Sequence, residues 1–213
     1  LGSKNAKRAE AQVMKLIWLK LTMLVIFAST ASARAGDGAG AGVRNCTWCH
    51  GTSGQGYTVA PRLAGQRPQY IESQIRSFHE HSRDNPFSKQ YMWGAVASLG
   101  PDAAHDLALY FAAIAPKPAN DGHVDVAAAG RKIFVEGIPD ANIVSCYACH
   151  GPQAEGVREI PRLAGLSYSY LKRRLQQWGQ GYHSGPASPM PLVASTLGPE
   201  EVEALASYLS FVR

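Results

Sequence analysis

The chain has 213 residues, 46% of them hydrophobic, with 21 Lys and Arg against 16 Asp and Glu, a formal net charge of +5. Residues 1–33 hold five of the basic side chains and one acid, which leaves 16 basic and 15 acidic side chains in the remaining 180. The body of the protein is therefore near neutral and lacks the basic footprint of a nucleic-acid binder.

Met14 to Ala33 has the three zones of an export signal: Lys15 and Lys20, an apolar run from Leu21 to Ala28 broken only by Thr22, and small-x-small sites at Ala31-Ser32-Ala33 and Ala33-Arg34-Ala35. We read residues 1–35 as this signal plus an upstream segment, and the mature chain as starting near Arg34 or Gly36. The apolar run is short for a spanning helix, and a retained anchor is the alternative. Export places the protein in the periplasm.

Gly36 to Asn45 is glycine-rich, which predicts a short or frayed helix, because glycine costs about 1 kcal/mol at an interior helix position. From Tyr70, apolar side chains recur with helical spacing, and Asp102 to Ile114 forms the next helix, with Leu107, Phe111 and Ile114 on its apolar side. Two prolines and a glycine between Ala115 and Gly122 mark an extended linker. Asp125 to Val135 reads as a helix with Val126, Ala129, Ile133 and Phe134 inward, followed by a long approach over Glu136 to Ser145. Helices follow from Tyr170 and over Pro199 to Phe211, where proline suits the first turn. Strand alternation is nearly absent, so the class is all-α. The divisions are 36–115 and 125–213, joined by 116–124.

The four cysteines of the chain fall in two motifs, Cys46-Thr47-Trp48-Cys49-His50 and Cys146-Tyr147-Ala148-Cys149-His150. This spacing lets two thiols add to the vinyl groups of one haem, with the adjacent His as an axial iron ligand. A longer repeat surrounds each motif. Gly51 and Gly151 follow the histidines, and eleven residues beyond each His begin Pro61-Arg62-Leu63-Ala64-Gly65 and Pro161-Arg162-Leu163-Ala164-Gly165. Tyr70 and Tyr170, Ile71 and Leu171, Ile75 and Leu175, and Phe78 and Trp178 also match, so one unit is used twice. Two covalently bound haem c groups are expected. One zinc held by all four thiolates would leave both histidines unexplained.

The second axial ligand follows from the same repeat. Met92 and Met190 each lie seven residues before a Leu-Gly-Pro, 42 and 40 residues after His50 and His150. Pro189-Met190-Pro191 reads as a rigid extended segment presenting the thioether. The metal ligands are therefore His50, Met92, His150 and Met190. His79, His81 and His183 are the alternatives for a bis-His site. A backbone carbonyl near Pro61 and Pro161 is placed to accept from each proximal imidazole. Arg62 and Arg162 are read as partners of haem propionates.

These motifs, both Pro-Arg-Leu-Ala-Gly strings and the closing segment from Met190 through Leu197-Gly198-Pro199 resemble the dihaem cytochromes c of the c4 type over essentially the whole mature chain. The resemblance implies a tandem pair of class I cytochrome c domains related by a pseudo-twofold axis, with propionates near the interface. It implies a periplasmic electron carrier, often membrane associated, between a bc1-type donor and a terminal haem-copper oxidase. Six-coordinate irons leave no position for a small-molecule substrate, so the chain is read as no enzyme. The alternatives are a permanent electron-transfer subunit of a membrane oxidase or dehydrogenase complex, and a dihaem peroxidase or sulfur-compound dehydrogenase with an open distal site.

Overall fold

A computed structural model describes residues 36–183 and 188–213; the export signal read at residues 1–35 lies outside them. Among the described residues there is no β-strand, only two isolated bridges, Ile138 with Ile143 and Val157 with Ile160. Helix α1 spans Gly36–His50 and carries the first motif at its end. It is not the short helix its composition predicts. The reason is packing: Val43 and Cys46 lie against a buried core that includes Leu107 and Phe111. Residues 42–213 form one compact unit.

In the first repeat, α2 (Pro68–His79) packs on α4 (Pro101–Ala113) and on the short α3 (Trp93–Val96). Ile71, Leu107, Ala108 and Phe111 form their buried core. A π-helical turn, Ser88–Met92, leads into α3. In the second repeat, α5 (Val124–Glu136) crosses α9 (Pro199–Phe211), and α7 (Tyr168–Gly179) packs on α9 and on α8 (Met190–Ser195). Phe134, Leu171, Leu205 and Leu209 lie in that core. On α5 the buried face runs through Gly130 and Phe134, while Ala129, read as inward, is exposed. Pro101 and Pro199 occupy first-turn positions, as expected.

The long approach to the second motif is a reversal. Ile138 and Ile143 exchange N–H···O bonds of 2.9 and 3.0 Å around a 3-10 turn, Pro139–Ala141, with Asn142 left-handed at φ 54°. It delivers the chain to α6 (Tyr147–His150). Residues 115–121 have no regular structure yet are fastened. Lys117 N–H donates to Gln55 Oε1, Ala119 N–H to Gly165 O, and Asn120 N–H to Ser210 O.

Candidate haem sites

Each site begins with a tight loop after its histidine. Gly51 and Gly151 leave the helix at φ 84° and 82°, and Gly56 and Gly156 turn back at 79° and 73°. A Cβ on either Gly56 or Gly156 would sit 2.5 Å from the N of Arg62 or Arg162, so only glycine admits this turn. The N–H groups of Gly56 and Gly156 bond His50 O and His150 O, both at 2.8 Å. The closed loop brings the next proline carbonyl over the imidazole: His50 Nδ1 donates to Pro61 O at 2.7 Å, and His150 Nδ1 to Pro161 O at 3.0 Å. These are the carbonyls expected beside the imidazoles. The sequence reading did not single out Gly56 and Gly156, although both stand six residues after the histidine.

Both imidazoles are buried. Burial lowers their pKa, against the proline carbonyl, which raises it; at His50 the charge of Arg83 lowers it further. Nδ1–H is thus tied to a carbonyl and Nε2 of a neutral ring is left to bind iron, the arrangement that orients a metal-ligating histidine. The four thiols are free. Cys46 and Cys146 are half-buried, and burial pushes Cys146 up to about 11 and Cys46 upward as well. Cys49 and Cys149 are exposed. Among the described residues no three His, Cys, Asp or Glu side chains are gathered for one metal, so the cysteines stay as two separate pairs. Separate pairs fit two haems and not a single zinc.

Met92 ends the π-helical turn and Met190 opens α8; both are half-buried, and Met190 packs against the second core. The Pro-Met-Pro segment is not extended. Pro189 is helical (φ −73°, ψ −13°), and Pro191 lies in the first turn of α8, where its missing N–H has no partner to lose. The spare histidines are engaged elsewhere. His79 Nε2 lies 3.0 Å from Leu99 O, His81 stacks on Trp93 at 3.9 Å, and His183 Nδ1 faces Arg174 Nη2 at 3.3 Å.

Arg62, read from the sequence as a propionate partner, also spans the junction of the repeats. Its Nη1 donates to Lys117 O (2.6 Å) and Gly165 O (2.7 Å), and its Nη2 to Ala164 O, so the guanidinium faces the second repeat's backbone. The returning linker and the second string supply those carbonyls. Burial and neighbouring Arg162 pull Arg62 down to about 10, still charged at neutral pH. Gln66 completes the junction: its Nε2 donates to Arg162 O (2.9 Å) and its Oε1 accepts from Arg162 N–H (2.7 Å). Arg62 Nε, Arg162 Nε and Trp178 Nε1 are buried with no acceptor among the described residues. Two carboxylates carried by a bound haem are the kind of acceptor these donors lack, so the residues present fit the group.

The chain is similar to known proteins. The family model for cytochrome c matches residues 127–212. Cytochrome c-552 of Acidithiobacillus ferridurans is 32% identical over 200 residues, covering 91% of this chain and 86% of that protein. The thiosulfate dehydrogenase electron acceptor of Thiomonas intermedia strain K12 is 34% identical over 172 residues, covering 78% of this chain and 77% of that protein. Among solved structures, the cytochrome c4 of Acidithiobacillus ferrooxidans superposes with a TM-score of 0.72 at 32% identity, over 78% of this chain and 98% of that one.

Proposed function

Because this chain belongs to the dihaem cytochromes c of the c4 type, we propose that it is a periplasmic carrier that moves electrons singly from a respiratory donor such as a bc1 complex towards a terminal haem-copper oxidase. Its two cytochrome c domains would be 36–115 and 125–213, joined by 116–124. The observation that carries this reading is the same site built twice, a buried imidazole fixed by Pro61 O or Pro161 O with a matched methionine downstream. Haem c, when bound, supplies a one-electron Fe(III)/Fe(II) couple. His50 and His150 would bind the iron through Nε2, and Met92 and Met190 would supply its second protein ligand. Thioether ligation favours the reduced metal and raises the potential. Arg62, Arg162 and Trp178 would hold propionates through their unpartnered N–H groups. Iron held by both a histidine and a methionine would have no open position for a substrate.

The test is a redox titration of the holoprotein, following the weak near-infrared band of ferric methionine ligation. Two equivalents of that band, without carbon monoxide uptake in the reduced form, are expected. One missing equivalent with carbon monoxide binding would move the reading to a dihaem enzyme.

The thiosulfate dehydrogenase electron acceptor among the relatives favours a second reading, in which the donor is a sulfur-compound dehydrogenase. Stopped-flow reduction by a bc1 complex and by a thiosulfate dehydrogenase separates the two, since the physiological donor should react near the limit of steered association. Among the described residues no helix is long and apolar enough to cross a membrane.

A further inference from the structure

Arg173, on α7 of the second repeat, touches two segments of the first. Its Nη2 donates to Val59 O (3.0 Å) and its Nη1 to Thr58 O (3.3 Å). Its guanidinium also lies 4.8 Å over the ring of Phe87. Thr58 and Val59 come three and two residues before Pro61, whose carbonyl holds His50 Nδ1. Phe87 precedes the π-helical turn that ends at Met92. A planar cation from the other repeat thus bridges the segments that carry both ligands read for the first iron. A guanidinium suits this task, because its fork can meet two carbonyls while its face stacks on a ring.

The two proximal loops are closed in different ways. In the second, Val157 and Ile160 exchange N–H···O bonds of 3.0 and 2.9 Å just ahead of Pro161. At the matching place in the first, Tyr57 N–H donates to Ala60 O at 2.7 Å and no bridge forms. The carbonyls that Arg173 takes lie inside this half-closed turn. Gln55 ties the same loop to the linker, donating from Nε2 to Ala115 O (3.0 Å) and accepting at Oε1 from Lys117 N–H (3.0 Å). The matching Glu155 instead turns back on Gln153 N–H (2.8 Å). The position of α2 that matches Arg173 is Ser73, whose hydroxyl donates to Tyr70 O of its own helix (2.9 Å). Support between these elements therefore runs one way, from the second repeat to the first loop.

We propose that Arg173 is a positioning residue: from the second repeat it fixes the loop that aims Pro61 O at His50, so that the proximal bond of the first haem, and not that of the second, depends on how the repeats meet. A firm bond from Nδ1–H to a carbonyl makes an imidazole the stronger donor to its metal and favours ferric iron. Loosening that bond at His50 favours ferrous iron and raises the potential of the first haem. Loss of the Arg173 charge alone acts the other way, because removing a nearby cation favours the ferric state. The inference rests on the dihaem carrier reading.

The experiment compares Arg173→Ala and Arg173→Lys holoprotein with the parent. It reads hydrogen exchange of the two imidazole Nδ1–H groups in the ferrous state by NMR, and the potential of each haem by redox titration. In Arg173→Ala the His50 Nδ1–H should exchange about tenfold faster while the His150 Nδ1–H keeps the parent rate. The first haem should shift about threefold towards the ferrous form, about 28 mV for one electron. Arg173→Lys keeps the charge but not the fork, and its His50 exchange should fall between the parent and Arg173→Ala. Unchanged His50 exchange in Arg173→Ala, equal acceleration at His50 and His150, or a fall in the first potential overturns the proposal; the last would mean that charge alone acts. If Arg173→Ala does not assemble, Arg173→Lys carries the same readings at smaller amplitude. The carrier reading fails separately, when the parent protein itself lacks two methionine bands.

Discussion

Gly130 sets how closely α5 and α9 approach, and Gly130→Ala measures it. A Cβ at this position would lie 1.9 Å from Ala204 O, 2.5 Å from Ala204 C and 2.8 Å from Tyr208 Cβ. A carbon normally stays about 3.3 Å from a carbonyl oxygen, so the helices must part by about 1.4 Å. The obstruction is backbone and cannot rotate away. Parting them opens a gap beside Phe134, which is fully buried, and a gap of about 1 Å forfeits a quarter to a half of the dispersion energy of its lining. Helix propensity works the other way, favouring alanine by about 1 kcal/mol. Overpacking at the upper end of its usual range, about 3 kcal/mol, should win, and the net loss of about 2 kcal/mol should lower Tm by about 4–8 °C. Thermal unfolding of the holoprotein, followed by the Soret band, reads this. Ala129→Gly on the exposed face calibrates the propensity effect alone. If Gly130→Ala is as stable as the parent or more so, propensity governs the site and the close crossing is wrong.

Gln66→Ala removes both bonds to the Arg162 backbone and should cost about 1–3 kcal/mol in denaturant unfolding; a loss within error would mean that water replaces Gln66. Burial first, then Arg83 and Arg174, hold His183 down to about 4 from an ordinary 6.5. A base with a lowered pKa contributes its full stability above about pH 6.5 and loses it as pH falls towards 4. Because His183 is only partly buried, that loss is discounted to about 1–2 kcal/mol, and His183→Gln should flatten the stability profile across that window. An unaltered profile would mean that another group titrates there. Met92→Ala and Met190→Ala should each remove one equivalent of the near-infrared band and lower one potential, leaving the other haem in place; a band that survives either change assigns that iron to another ligand.

The helices were legible where the apolar period was clear and proline and glycine punctuated it. Pro199–Phe211 begins and ends where the sequence places it. Gly36–His50 is longer than its glycines predict because propensity takes no account of the core of Leu107 and Phe111 on which Val43 and Cys46 pack. Met190 was placed in an extended segment because proline biases the residue before it away from the helix, a bias that the first turn of α8 overrides. The proline carbonyls on His50 and His150 could be anticipated because they lie eleven residues away within one loop. The partners of Arg62 are 55 to 103 residues distant, and local pattern says nothing about pairings of that range.

The linker has a consequence for what the junction between the halves must achieve. Gln66, Arg62, Arg83, Arg173 and Asp84 join the repeats through polar bonds. Two separate chains meeting through these contacts would have to overcome the loss of free translation and rotation. Here residues 115–121 run fastened to Gln55 on one side and to Gly165 and Ser210 on the other. A short tether of this kind sets a local concentration of about millimolar or above, so contacts too weak for a lasting complex suffice. The distance between the two redox centres is thus fixed largely by chain connectivity, and lengthening the linker would loosen their spacing without altering either site.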